Sequence, residues 1–138
     1  MKINSNNRVD IALLILRIGI GFMFILHGYP KIMGGIEKWV GIGSYGMGSL
    51  GIHIFPAFWG FMAAFSEFVG GIMILLGLYI RYFSLLLFIT MLVAVCTHLV
   101  GGDGLMGASH ALESAVVFLC LFFSGAGNYA LKLTGKDN

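Results

Sequence analysis

Four long apolar stretches dominate the sequence, and they leave few folds open to it. They are at least nineteen residues long and nearly free of formal charge, and they cover residues 9–33, 55–79, 82–100 and 105–126. About 20 apolar residues in a helix cross a hydrocarbon core of ~30 Å. The runs show no strand-like alternation, and lipid cannot satisfy an open backbone. We therefore predict an all-α, membrane-embedded, antiparallel bundle of four helices.

The composition supports this prediction. Of the 138 residues, 59% are hydrophobic and 10% are charged, whereas soluble domains carry about 25% charged residues. The composition therefore argues against a soluble catalytic domain. The formal net charge of +2 is too small to indicate an anionic partner such as nucleic acid. We expect residues 1–138 to form a single four-helix domain whose partner is the lipid bilayer.

The connections between the stretches differ in length. Residues 78–81 are too few for anything but a tight turn, which predicts an antiparallel hairpin of the second and third helices. The connection at residues 34–55 is long, and it contains seven glycines as well as Trp39 and Tyr45. Such a composition suits a Gly-rich segment at the membrane interface, partly helical or re-entrant. An ordinary flexible loop is the alternative.

The basic residues predict an orientation. The first stretch lacks a small-x-small cleavage site, so we interpret it as a retained span rather than a signal peptide. With the N-terminus inside, two basic residues, Lys31 and Lys38, lie outside, and Arg17 lies within the membrane. The asymmetry places both termini in the cytoplasm. The five basic residues on the inner side are Lys2, Arg8, Arg81, Lys132 and Lys136.

Most of the ionisable residues within the helices fall on one stripe per helix, at the 3.5-residue spacing of left-handed bundles. A charge facing lipid at mid-depth is unfavourable by at least ~2.5 to 3.5 kcal/mol, so we expect the four stripes to face one another. The stripes are Arg17-Ile20-Phe24-His27-Lys31, Gly60-Ala63-Glu67-Gly70-Ile74, Ser84-Leu87-Met91-Ala94-His98 and His110-Glu113-Val117-Cys120-Ser124.

Depth along the helices suggests which groups meet. At a rise of 1.5 Å per residue, Arg17 and Glu67 both fall near the bilayer centre. Either charge alone there would be unfavourable, so we predict that they form an ion pair.

The remaining polar groups gather towards the outer side and predict an outward-facing polar cavity. Ionisable residues inside membranes are functional by default. For Lys31 alone, however, we favour a side chain that snorkels to the headgroups. The sequence identifies no catalytic residue; the candidates for ligand binding or proton relay are Arg17, His27, Lys31, Glu67, His98, His110 and Glu113.

A metal site is a weaker interpretation of the same residues. His27, His98, His110 and Glu113 are ligand types that three helices could bring together. Buried histidines more often only donate or accept hydrogen bonds. We therefore predict no metal.

Several short motifs resemble those of the DoxX family of small bacterial membrane proteins. They are Arg17, the element His27-Gly28-x-x-Lys31, Glu67 followed by Gly70-Gly71, Gly77-x-x-x-Arg81, and the Gly-x-Gly-x-Tyr of residues 125–129. Each is generic, but their order makes the set fairly specific. The resemblance runs from about residue 14 to residue 131.

The resemblance implies a four-helix protein of the bacterial inner membrane. Relatives include a subunit of a thiosulfate:quinone oxidoreductase, which makes a redox-associated accessory role with a quinone or a sulfur compound the leading hypothesis. The candidate cofactor is a quinone, and the candidate protein partners are a redox subunit or a second copy of the chain. This chain has no cysteine pair, haem-binding histidine pair or flavin motif of its own. A carrier for a small solute or lipid, and a scaffold without chemistry, remain alternatives.

Overall fold

The computed structural model describes residues 5–131, and within them the chain folds into α-helices without strands. The all-α prediction is therefore confirmed. Three basic residues used in the orientation argument, Lys2, Lys132 and Lys136, lie outside the described residues. The helices are α1 (Ser5–Ile32), α2 (Gly35–Gly46), α3 (Pro56–Leu76), α4 (Ile80–Val100) and α5 (Gly104–Ser124), with a 3₁₀ turn at Gly48–Leu50.

Four of these helices are long and apolar enough to cross a membrane, namely α1, α3, α4 and α5. They coincide with the four predicted stretches to within a few residues at each end. We call the side of the bundle where α1 begins and α5 ends the terminal face, and the opposite side, which carries α2, the loop face.

The Gly-rich connection is mostly helical, so the flexible-loop alternative is wrong. Helix α2 occupies its first half and lies antiparallel against the beginning of α3. A Cβ on Gly43 would lie 1.9 Å from the carbonyl oxygen of Pro56, and one on Gly60 would lie 1.8 Å from that of Trp39. The glycines therefore allow the two backbones to touch, as small residues do between membrane helices.

Helix α1 packs against the second half of α3 in the same way. A Cβ on Gly21 would lie 2.8 Å from the carbonyl oxygen of Gly71, and one on Gly28 would lie 2.3 Å from the amide nitrogen of Phe68. These contacts run in opposite directions along the two helices, so α1 and α3 are antiparallel. They also fix the axial offset between the helices, because Gly28 lies level with Glu67.

Helices α1 and α5 are not in backbone contact. Within the described parts of both helices, no Cα atom of one lies within 8 Å of a Cα atom of the other. Aromatic side chains bridge the space instead: the ring centroids of Phe24 and Phe118 are 4.7 Å apart, and those of His27 and His110 are 5.5 Å apart. We call this space the α1–α5 gap.

The predicted stripes are right for α3 and α4 and wrong for α5. On α3 and α4, Glu67, Ile74, Ser84 and Leu87 are buried as expected. On α5, Glu113 and Cys120 are exposed. The helix is rotated from the predicted orientation, because its buried face consists of small and apolar residues: Ala108, Ala111, Ser114, Ala115, Phe118 and Leu121.

Candidate functional site

A cavity of about 160 Å³ lies between α1, α3, α4 and α5, in the half of the bundle nearer the loop face. Five of the seven candidate residues line it, and Arg17 and Glu113 do not. The five are His27, Lys31, Glu67, His98 and His110, and the other lining residues are Phe24, Met91, Ala94, Gly107 and Ala111.

An ion pair between Lys31 and Glu67 forms one wall of the cavity. The ammonium nitrogen of Lys31 donates to both carboxylate oxygens of Glu67, at 2.7 and 2.6 Å. The carboxylate side chain is 6% exposed and the lysine 33% exposed. The preferred interpretation of Lys31 as a snorkelling residue is therefore wrong.

The end of α1 at this ion pair is also held by α2. The indole nitrogen of Trp39 donates to the carbonyl oxygen of Lys31 at 3.0 Å. The Trp39 ring packs edge-on against Phe61 of α3, with centroids 5.0 Å apart. Contacts among α1, α2 and α3 therefore fix the position of Lys31. Trp39 was not among the candidate residues predicted from the sequence.

The predicted ion pair between Arg17 and Glu67 is wrong, and the helix offset explains why. Glu67 lies level with Gly28, and eleven residues separate Gly28 from Arg17. At 1.5 Å per residue this is about 16 Å along α1. Arg17 and Glu67 would be level only if α1 and α3 crossed the membrane at the same height, whereas α1 is displaced towards the terminal face.

Arg17 instead binds the segment that follows α5. Its side chain is fully buried, and Nη2 donates to the carbonyl oxygen of Tyr129 at 3.0 Å. A Cβ on Gly77 would lie 1.7 Å from Nη1, so only glycine leaves room for the guanidinium there. The family motifs at positions 17, 77 and 125–129 are therefore parts of one structure at the terminal face.

Asp10 holds the same segment and was missed by the sequence analysis. Its carboxylate accepts hydrogen bonds from the backbone nitrogen of Asn128 at 3.0 Å and from the side-chain nitrogen at 2.7 Å. The amide of Leu131 donates to the carbonyl oxygen of Leu76 at 3.1 Å. We call residues 125–131 the C-terminal clasp. Its spacing could have identified Asp10 in the sequence, because it lies seven residues before Arg17 on the same helix face.

The three histidines of the cavity occupy two different surroundings. His27 and His110 face each other across the α1–α5 gap, beside the ring of Phe24. His98, at the end of α4, lies 2.7 Å from Asp103 through its Nδ1 atom. Asp103 precedes the first residue of α5 and was also missed, since it belongs to a short connection rather than to a stripe.

Glu113 lies outside the cavity, which corrects its predicted place in the site. It is exposed on the outer side of α5, two residues and hence about 200° from the buried Ala111. Among residues 5–131, no three His, Cys, Asp or Glu side chains come close enough together to hold a metal ion. The cavity therefore offers hydrogen-bond donors from an ammonium and imidazoles, next to the apolar side chains of Phe24 and Met91.

Comparison with known proteins places the chain among DoxX proteins. Residues 12–99 match the family model described as DoxX. An "Uncharacterized protein" of Haemophilus influenzae is 34% identical over 122 residues, which cover 84% of each chain. A Bacillus subtilis protein named "Putative oxidoreductase CatD" is 30% identical over 92 residues, which cover 67% of this chain and 63% of that protein. No solved structure matches the chain.

The family match and the fold agree. The match covers well over half of the chain and includes most of α1, all of α2 and α3, and nearly all of α4. Four described helices have the length and composition of membrane spans. The protein is therefore a multi-pass membrane protein that belongs to the DoxX family.

Proposed function

We propose that the protein is a redox-associated accessory subunit of the bacterial inner membrane whose cavity binds the headgroup of a quinone. In this proposal both termini are cytoplasmic and the loop face is periplasmic, in agreement with the distribution of basic residues. The observation that carries the proposal is the joint lining of one small cavity by the Lys31–Glu67 ion pair and three imidazoles.

The size and polarity of the cavity suit a single substituted ring. An apolar protein cavity of about 150 Å³ is known to accept benzene, and this cavity measures about 160 Å³. Phe24 and Met91 supply apolar contacts for a ring. Lys31, His27 and His110 supply hydrogen-bond donors for carbonyl oxygens. A quinone headgroup combines these two chemistries.

The α1–α5 gap favours a ligand that arrives from the bilayer. Side chains rather than packed backbone close the gap, and they are those of Phe24, His27, His110 and Phe118. His27 and His110 are exposed, and rotation of exposed side chains is fast compared with helix movement. A ring that carries a long apolar tail therefore has a lateral route into the cavity with its tail left in lipid. This favours a quinone over a water-soluble sulfur compound.

Reduction of a quinone to a quinol consumes two electrons and two protons. We assign the electrons to a partner redox subunit, which agrees with the oxidoreductase name of the Bacillus subtilis relative. Histidine exchanges protons readily near neutral pH, so His27 and His110 are the residues to which we assign proton relay.

Ligand binding to protein in lipid nanodiscs tests the proposal. A short-tailed benzoquinone is expected to raise the unfolding temperature of the wild type. We expect His27→Leu and His110→Leu to weaken binding at least tenfold, because each removes a donor from the cavity wall. Glu113→Gln is the matched control outside the cavity and should bind as the wild type does.

Other outcomes of the same experiments favour the alternatives. Stabilisation by thiosulfate but not by the benzoquinone points to a sulfur compound. Solute uptake into liposomes that is lost in His27→Leu points to a carrier. If no ligand binds and the substitutions change only stability, the protein is a scaffold.

A further inference from the structure

We propose that the outer face of α5 docks a transmembrane helix of a partner protein that carries a lysine or arginine at mid-depth. This proposal does not depend on the cavity or on its ligand. We define the α5 outer face by four exposed residues, Glu113, Val116, Cys120 and Ser124, together with the partly buried Ser109.

Glu113 lies near the middle of its span and points away from the bundle. It is nine residues from the start of α5 at Gly104 and eleven from the end at Ser124, which is about 14 and 16 Å along the axis. The buried side of the helix, which includes Ala111 and Phe118, faces the opposite direction. The carboxylate would therefore contact acyl chains if α5 faced only lipid.

Within residues 5–131, no side chain forms an ion pair or hydrogen bond with Glu113; the ion pairs found there are Lys31–Glu67 and His98–Asp103. An ionised carboxylate in hydrocarbon is strongly unfavourable without a partner. The two other carboxylates within the spans both have partners, since Glu67 binds Lys31 and Asp10 accepts hydrogen bonds from Asn128. Because the described residues supply no such partner, we assign the partner of Glu113 to another chain.

The residues around Glu113 are those of a helix–helix interface. Ser109, Cys120 and Ser124 are small, and they repeat at spacings that keep them on one side of α5. Small residues let two membrane helices approach closely, and polar side chains then bind across the interface. Exposed apolar side chains, namely Leu112, Leu119 and Phe123, flank these small residues.

Charge complementarity favours a different protein over a second copy of this chain. Among the described residues, the basic side chains within the spans are Arg17, which is fully buried, and Lys31, which is bound to Glu67. Arg8 and Arg81 lie near the ends of their helices. A second copy therefore presents no free lysine or arginine at the depth of Glu113, whereas a partner helix with a central lysine or arginine does.

Association with synthetic transmembrane peptides in vesicles of neutral lipid tests the proposal. One peptide is a Leu-Ala helix with a single central arginine, and the control peptide has leucine at that position. A fluorophore on the protein and a quencher on the peptide report association. We expect the arginine peptide to bind at least tenfold more strongly than the leucine peptide. The preference should vanish in Glu113→Leu and persist in Glu37→Gln, which removes a carboxylate from α2. Equal binding of the two peptides, or a preference that survives Glu113→Leu, would overturn the proposal.

Cys120 gives a second readout on the same face. In a Cys96→Ser background, a lipid-soluble maleimide should label Cys120, and the arginine peptide should protect it. Oxidative cross-linking tests whether a second copy of this chain covers the α5 outer face instead. Efficient formation of Cys120–Cys120 dimers at low protein density, lost in Glu113→Leu, would show that a second copy covers the face and would contradict the proposal.

Discussion

The ammonium nitrogen of Lys31 lies 2.7 and 2.6 Å from the two carboxylate oxygens of Glu67, and this ion pair joins the end of α1 to the middle of α3. It also lines the cavity beside His27 and His110. The same contact therefore holds the helices at a fixed offset and shapes the proposed binding site.

Replacing one partner of this ion pair should destabilise the protein more than replacing both partners. Lys31→Met leaves Glu67, which is 6% exposed, without a counterion. We expect the free energy of unfolding to fall by about 2–4 kcal/mol, somewhat less than the ~3–5 kcal/mol lost when a fully buried pair is broken, because Lys31 is partly exposed. The double substitution Lys31→Met with Glu67→Leu should recover most of this loss. The free energies of unfolding in mixed micelles of the wild type, the two single variants and the double variant form a double-mutant cycle, which measures the coupling between the two residues. Additive effects of the two substitutions would argue against the ion pair.

The two glycines at positions 19 and 28 should respond in opposite ways to alanine. A Cβ on Gly28 would overlap the backbone of Phe68, whereas a Cβ on Gly19 meets nothing within 4 Å. We expect Gly28→Ala to lower the free energy of unfolding by about 1–3 kcal/mol through overpacking. Gly19→Ala should be neutral or stabilising by up to about 1 kcal/mol, because alanine favours helix. Thermal unfolding of the two variants provides the comparison, and a similar loss in both would contradict the close contact of α1 and α3.

Loss of the Asp10 carboxylate should release the C-terminal clasp. Asp10→Ala leaves the backbone and side-chain nitrogens of Asn128 without their acceptor. We expect a loss of about 1–3 kcal/mol and at least tenfold faster hydrogen exchange at the Asn128 amide. Arg8→Ala, at an exposed residue two positions before Asp10, is the control. Unchanged exchange in Asp10→Ala would show that the clasp does not depend on this carboxylate.

The two glutamates within the spans should give opposite results when replaced by leucine. Glu113→Leu removes an outward-facing charge, so we expect the isolated protein to become more stable by about 1–3 kcal/mol. Glu67→Leu leaves Lys31 without its partner and should lower stability. The free energies of unfolding of both variants, measured under the same micellar conditions, check these two expectations. Destabilisation by Glu113→Leu would mean that the folded chain itself satisfies this carboxylate.

Much of the architecture followed from the sequence. Four long apolar runs with few charges can satisfy their backbones in lipid only as helices, so their number and approximate bounds were predictable. Five of the seven polar candidates line the cavity, because His27, Lys31 and Glu67 fall on seams at helical spacing and His98 and His110 lie at adjoining helix ends. The sequence nevertheless favoured a snorkelling side chain for Lys31, and it included Arg17 and Glu113.

The pairing of these residues was decided by the tertiary structure. Spacing along one helix identifies a stripe, but it contains no information on how far two helices slide past each other or which stripe turns inward. Backbone contact at Gly21 and Gly28 displaces α1 along α3, so Glu67 meets Lys31 and Arg17 meets the C-terminal clasp. Packing of Ala111 and Phe118 turns α5 so that Glu113 faces outward. The sequence determined the helices and their polar residues, whereas offset and rotation, which depend on close contacts between helices, decided which charges meet.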